Sequence, residues 1–120
     1  MGREERLTRR GQFTSVYDEG RSWVDNLLVV KALPNGLTLS RYGFSVSKRV
    51  GKAVTRNKIR RRLREILRLT PLKPGWDIVF IARLPAATAN YAELRKTVEG
   101  LLSRARLLMR EDERVYLRIN

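Results

Sequence analysis

The sequence predicts an α+β fold: a two-layer α/β sandwich with one mixed sheet of about four strands and about three helices. Three observations carry this. Apolar residues recur at helical spacing in three segments and as short, partly β-branched runs in others. Pro and Gly clusters separate these segments. The 120 residues, 42% hydrophobic, suffice for one core but not two. Residues 1–120 therefore read as a single domain, with its core over about 6–110 and a tail over about 111–120.

Thr8 is a fitting N-cap, and Phe13, Val16 and Tyr17 follow at helical spacing before Gly20, which predicts a short helix over 9–18. Residues 22–33 contain an apolar, β-branched run and read as a strand. Pro34-Asn35-Gly36 signals a turn, and residues 37–47 read as the returning strand, so an antiparallel hairpin is expected. Gly51 punctuates the chain, and Thr55 can cap a helix over 56–69, with Ile59, Leu63, Ile66 and Leu67 on one stripe. Pro71, Pro74 and Gly75 end it. Residues 76–82 have the composition of a buried strand, which Pro85 closes. Leu94, Val98, Leu101, Leu102, Ala105, Leu108 and Met109 predict a helix over 91–110. Val115-Tyr116-Leu117 fits either an edge strand or a tail.

Charge is the unusual quantity. Against 12 Asp and Glu stand 26 Lys and Arg, a formal +14. That excess favours a polyanionic partner, nucleic acid or an anionic membrane surface. It is also localised: residues 41–68 hold eleven basic groups against Glu65 alone, a net +10. Such concentration describes a patch. With no His and no Cys, Ser-His-Asp triads, thiol nucleophiles and the usual zinc sites are excluded. No apolar run is long enough to span a bilayer and no signal peptide is visible, so a soluble, cytoplasmic protein is expected.

At about 100° per residue, Arg56, Arg60, Arg64 and Arg68 form a column beside the apolar stripe of the second helix. Asn57 and Arg61 extend that basic face, while Lys58 and Arg62 occupy the other flank of the stripe. Like charges at four-residue spacing repel, by a few tenths of a kcal/mol per pair. Phosphates supply the missing counter-charge most simply, and arginine's planar fork binds them bidentately. Lys48, Arg49 and Lys52 flank Gly51 just ahead, where backbone amides can add to a phosphate cradle. The alternative is a merely solvated basic face.

The run from Phe44 to Glu65, with Ser47-Lys48-Arg49 followed by Gly51-Lys52-Ala53-Val54-Thr55-Arg56-Asn57, resembles the motif of the bacterial ribonuclease P protein subunit. Arg6-Leu7 with Phe13, Val16, Tyr17 and Gly20, and the run Asp77 to Arg83, are similar to the family's first helix and later strand. The resemblance spans roughly 6–106. It implies a left-handed βαβ crossover around the basic helix, where the general rule favours a right-handed one. It implies a subunit that binds a catalytic RNA and the 5′ leader of precursor tRNA, assisting removal of that leader. The RNA would perform the hydrolysis with Mg²⁺ bound mainly by RNA, leaving no catalytic residue, metal ligand or cofactor in this chain, and no obligate protein partner or membrane is implied.

By the same resemblance, Lys48, Arg49, Lys52, Arg56, Asn57, Lys58, Arg60, Arg61 and Arg64 are expected to contact RNA. Phe13 and Tyr17 match aromatic positions of a leader-binding cleft, where stacking on unpaired bases tolerates varied sequence. Both could instead be core residues, being four apart on an amphipathic helix, although the Tyr17 hydroxyl suits a wet cleft wall. Lys31 stands where many members carry a further cleft aromatic, and would grip a leader phosphate instead. The rival readings are a non-enzymatic RNA-binding protein of ribosomal type and a DNA reader whose arginine helix enters a major groove.

Overall fold

In the computed structural model, residues 4–109 are described. They form five strands and three helices: β1 (Glu4–Arg6), α1 (Arg10–Glu19), β2 (Arg21–Val24), β3 (Leu28–Pro34), β4 (Ser40–Ser45), α2 (Ala53–Arg68), β5 (Trp76–Ala82) and α3 (Tyr91–Arg104). The strands make one mixed sheet in the order β1-β4-β5-β3-β2. β5 is central because both of its faces are apolar. Ile78 and Phe80 meet α2 and α3 on one side, and Val79 and Ile81 meet α1 on the other. The predicted α+β sandwich is present, with α1 as a short extra layer on the far face of the sheet.

Topology departs from the expected hairpin. Strands β3 and β4 are not neighbours, for β5 inserts between them, antiparallel to β3 and parallel to β4. The Pro34–Gly36 turn therefore spans a gap of one strand. Asn35 holds it by donating from Nδ2 to the Leu39 carbonyl (3.2 Å) and to Asp77 on β5 (2.9 Å). Arg41 grips the same carboxylate bidentately, at 2.8 and 2.7 Å, tying β4 to β5. The predicted strand over 22–33 is two strands, turned at Asp25–Leu27 into the antiparallel β2–β3 pair. β1 adds a fifth strand, parallel to β4.

Helix limits shift for local reasons. Arg9, not Thr8, is the N-cap of α1, because Gln12 Oε1 folds back to accept the amides of both Thr8 (2.9 Å) and Arg9 (3.0 Å). α2 begins at Ala53 instead of 56, so Thr55 lies inside its first turn. α3 starts with a reciprocal cap between Asn90 and Glu93 and stops at Arg104, short of 110. Its end is a left-handed Arg106 (φ 59°), with Leu107 N–H donating to Leu102 and Arg106 N–H to Ser103. Leu107 is then buried and Leu108 bridges to Leu72. The proposed element at Val115–Leu117 lies outside the described residues. Among those described, no helix is long and apolar enough to cross a membrane.

Candidate nucleic-acid interface

α2 is presented rigidly. Ile59, Leu63, Ile66 and Leu67 are each 2% exposed or less, so the helix is fixed by its apolar stripe and every other side chain faces outward or along the flanks. Ahead of it, a 3-10 turn over Lys48–Val50 buries Val50 and leaves Lys48 and Arg49 exposed. Gly51 follows, where a side-chain carbon would sit 3.1 Å from Thr55 Cγ2. Arg56 Nε donates to the Gly51 carbonyl (3.1 Å), and Arg60 donates to the Val46 carbonyl (3.4 Å) and to Asn57 Oδ1 (3.0 Å). These bonds join loop and helix into one surface.

The nine predicted residues are thus brought together but divide in two. Lys48, Arg49, Lys52, Asn57, Lys58, Arg61 and Arg64 stand on the open side of this surface, whereas Arg56 and Arg60 are half-buried or bonded back and hold the loop. The column of four arginines is not uniform, since Arg68 is engaged by Glu65 at 2.6 Å. That hydrogen bond holds the Glu65 carboxyl below its ordinary range and raises the Arg68 guanidinium, and both groups are fully exposed. Arg62 donates to the Ala89 carbonyl (2.7 Å), fastening α2 to the segment before α3. At the helix start, Lys52 as N-cap offers no side-chain acceptor and no acid lies in the first turn. The positive helix end adds to the lysines around it.

Val54 was missed by charge counting. It is 76% exposed on the outward face, a single apolar side chain among the charges. Its position opposite the Ile59–Leu63 stripe on a helical wheel was the available signal.

On the other side of the sheet, α1 lies across the strands. Val16 is fully buried against Leu7 and Val79, and Phe13 and Tyr17 are half-buried beside them. Phe13 rests directly on β4, where a side-chain carbon at Gly43 would come within 2.4 Å of Phe13 Cζ, so only glycine admits the ring. Tyr17 lies over β3, and Lys31 Nζ donates to the Tyr17 carbonyl (3.2 Å), 5.8 Å from the ring centroid. Lys31 therefore caps the C-terminal end of α1, favourable to the helix dipole, and has further ammonium protons to spare. Beside α1 runs a row in register across the sheet: Ser45, Ile81, Val29 and Val24. Val24 is 50% exposed and the other three are half-buried, so the row is partly open beside α1. Phe13, Tyr17 and Lys31, the three residues predicted to line a cleft, lie together on this face of the sheet.

The family model described as Ribonuclease P matches residues 1–106. The ribonuclease P protein component of Dehalococcoides mccartyi is 51% identical over 114 residues, 95% of each chain. That of a Roseiflexus species is 47% identical over 93% of this chain and 94% of its own. Among solved structures, the Staphylococcus aureus RNase P protein superposes with a TM-score of 0.80 at 32% identity, over 87% of this chain and 97% of its own. The Thermotoga maritima protein gives 0.74 at 35% identity, over 83% and 96%. On these similarities the chain belongs to the ribonuclease P protein family, the protein subunit of ribonuclease P.

Proposed function

We propose that the loop and helix from Lys48 to Arg64 dock on the catalytic RNA of the holoenzyme while the cleft beside α1 holds the 5′ leader of precursor tRNA. The observation that carries this is the fusion of loop and helix by Arg56 and Arg60, which turns separate charges into one preformed surface. Preformed donors lose little freedom on binding phosphate. Phe13 and Tyr17 offer ring surface to unpaired bases, and Lys31 offers a cation at the cleft base.

The chemistry of phosphodiester cleavage is assigned to the RNA, working in the cytoplasm. Mg²⁺ would serve that RNA-borne step. Among the described residues no three acids cluster, and Asp77, the buried carboxylate, is occupied by Arg41 and Asn35. These side chains do not fit a protein-held ion.

The test is reconstitution with cognate ribonuclease P RNA at low Mg²⁺, using precursor tRNA with and without its leader. Stimulated cleavage and tighter binding of the leader-bearing substrate are expected. RNA binding without stimulation would reduce the chain to an RNA-binding module.

A further inference from the structure

Where α2 ends against α3, two adjoining cavities of about 670 and 540 Å³ share Ser103, Leu108 and Met109, and so form one open trough. Sites for small ligands are of this size, roughly 300–1,000 Å³. One wall is the face of α3 that carries Lys96, Gly100 and Ser103, and the other is the chain from Leu69 to Pro71, just past α2. A short antiparallel ladder fixes Leu108 and Met109 against that second wall. In it Lys73 N–H donates to the Leu107 carbonyl (2.9 Å) and Met109 N–H to that of Pro71 (2.9 Å).

Two of the residues here are poor choices for the fold alone. Gly100 weakens the interior of α3, yet a side-chain carbon there would meet nothing. Arg106 is left-handed (φ 59°), where glycine would sit without strain, and its side chain is exposed. The one leaves a bare surface that another molecule can approach closely, and the other gives the trough a guanidinium. Lys73 and Lys96 also line it, and Glu99, its acid among the described residues, is engaged by Arg95 at 3.2 Å.

Cations around an apolar lining of Pro71, Leu108 and Met109 complement a nucleotide, with its anionic phosphate and flat rings. Position selects the source. The trough starts at Leu69, next to Arg68, on the α2 side of the sheet, and α2 is about 24 Å long over its 16 residues. RNA lying along α2 reaches the trough at the helix end.

We infer that this trough is a second docking site for the RNA subunit, taking an unpaired nucleotide whose phosphate meets Arg106 and the two lysines while its base lies on Leu108 and Met109. This rests on the proposed docking of α2 and extends it past Arg68, onto α3.

The experiment measures assembly of the full chain with cognate ribonuclease P RNA over a range of salt. Arg106→Gly should melt no lower than the parent, because glycine is at ease at this φ, yet bind the RNA more weakly. Combined with Lys73→Gln and Lys96→Gln, the loss should reach about tenfold, with a salt slope shallower by roughly 0.7 for each phosphate contact removed. Arg106→Lys keeps the charge and should keep most of the affinity. Unchanged affinity in the triple variant overturns the inference, as does a loss that merely follows a lowered melting temperature. Arg61→Ala separates the two readings. If it weakens assembly and the triple variant does not, the trough alone fails; if neither does, the docking of α2 fails and the trough with it. Because the chain has no Cys, Ser103→Cys can carry the sole photoreactive aryl azide, at an exposed position that lines both cavities. In the holoenzyme it should crosslink to the RNA subunit. Crosslinks confined to protein, within the chain or to a second copy, overturn the inference.

Discussion

α2 and α1 pack on opposite faces of the sheet and are held in opposite ways. α2 sinks four side chains into the main core and displays charge. α1 sinks only Val16 and keeps its two aromatic rings half-exposed against a smaller cluster of three buried residues. A surface built of like charges repels itself and needs a strong scaffold beneath it. A stacking wall needs rings at the boundary, so its helix gives up burial that would anchor it. Sparse burial means a lower free energy of local opening.

The largest effect expected tests that contrast directly. Leu63→Ala empties a fully buried site and should cost about 3 kcal/mol, lowering the melting temperature by more than about 10 °C. Val16→Ala removes fewer carbons from the smaller cluster and should cost about 1–2 kcal/mol. Equal losses in thermal melts would erase the distinction between the two helices.

Next in size is Gly43→Ala. The new methyl collides with Phe13 and must lift the ring, at about 1–3 kcal/mol of overpacking. Leader-dependent affinity should fall, while assembly with the catalytic RNA and its salt slope stay unchanged. In a Phe13→Ala background the same substitution should cost little, because the two changes act on one shared interface. Additive losses would mean that the ring is not seated on Gly43.

Smaller still are the arginines. Arg61→Ala and Arg64→Ala should each leave stability within about 0.5 kcal/mol of the parent while flattening the salt dependence of assembly by roughly 0.9. Arg60→Ala should do both, since it also surrenders the Val46 carbonyl, a bond of about 1 kcal/mol. Identical behaviour of all three would show that the division into displayed and loop-holding residues has no energetic content.

How far the sequence announces all this depends on the kind of feature. The α2 stripe, the buried β5 run and the basic patch are periodic or compositional, and each is legible in the chain. Insertion of β5 between β3 and β4 is not, because the contacts that accompany it, among Asn35, Arg41 and Asp77, join residues up to 42 apart in the chain. The end of α3 escapes because a left-handed arginine, Arg106, stands where glycine is the usual sign. In the candidate site, residue types reveal which side chains carry charge, but not which spend it on a carbonyl. Lys31 looks like a free phosphate grip, yet one of its three ammonium protons also caps α1. Arg62 looks like its neighbours, yet it fastens two segments.

The smallest prediction concerns the one outward-facing arginine of α2 that is bonded to an acid. Arg68 donates to Glu65 through both Nε and NH2, and this lowers the Glu65 pKa from its ordinary value. A depressed carboxyl contributes above its unfolded pKa and loses that contribution as pH falls through the folded one. At neutral pH the Glu65 carboxylate is ionised and competes with a phosphate for Arg68. Because both groups are fully exposed, opening the pair should not move the melting temperature measurably. Glu65→Gln should nonetheless tighten assembly slightly and steepen its salt slope by up to about 0.9, as Arg68 becomes available to a phosphate. The parent and Glu65→Gln should converge once the pH falls below the lowered Glu65 value, where the parent's own carboxyl is neutral. If the slope is unchanged at neutral pH, the docking surface ends at Arg64, and the last turn of α2 belongs to the scaffold.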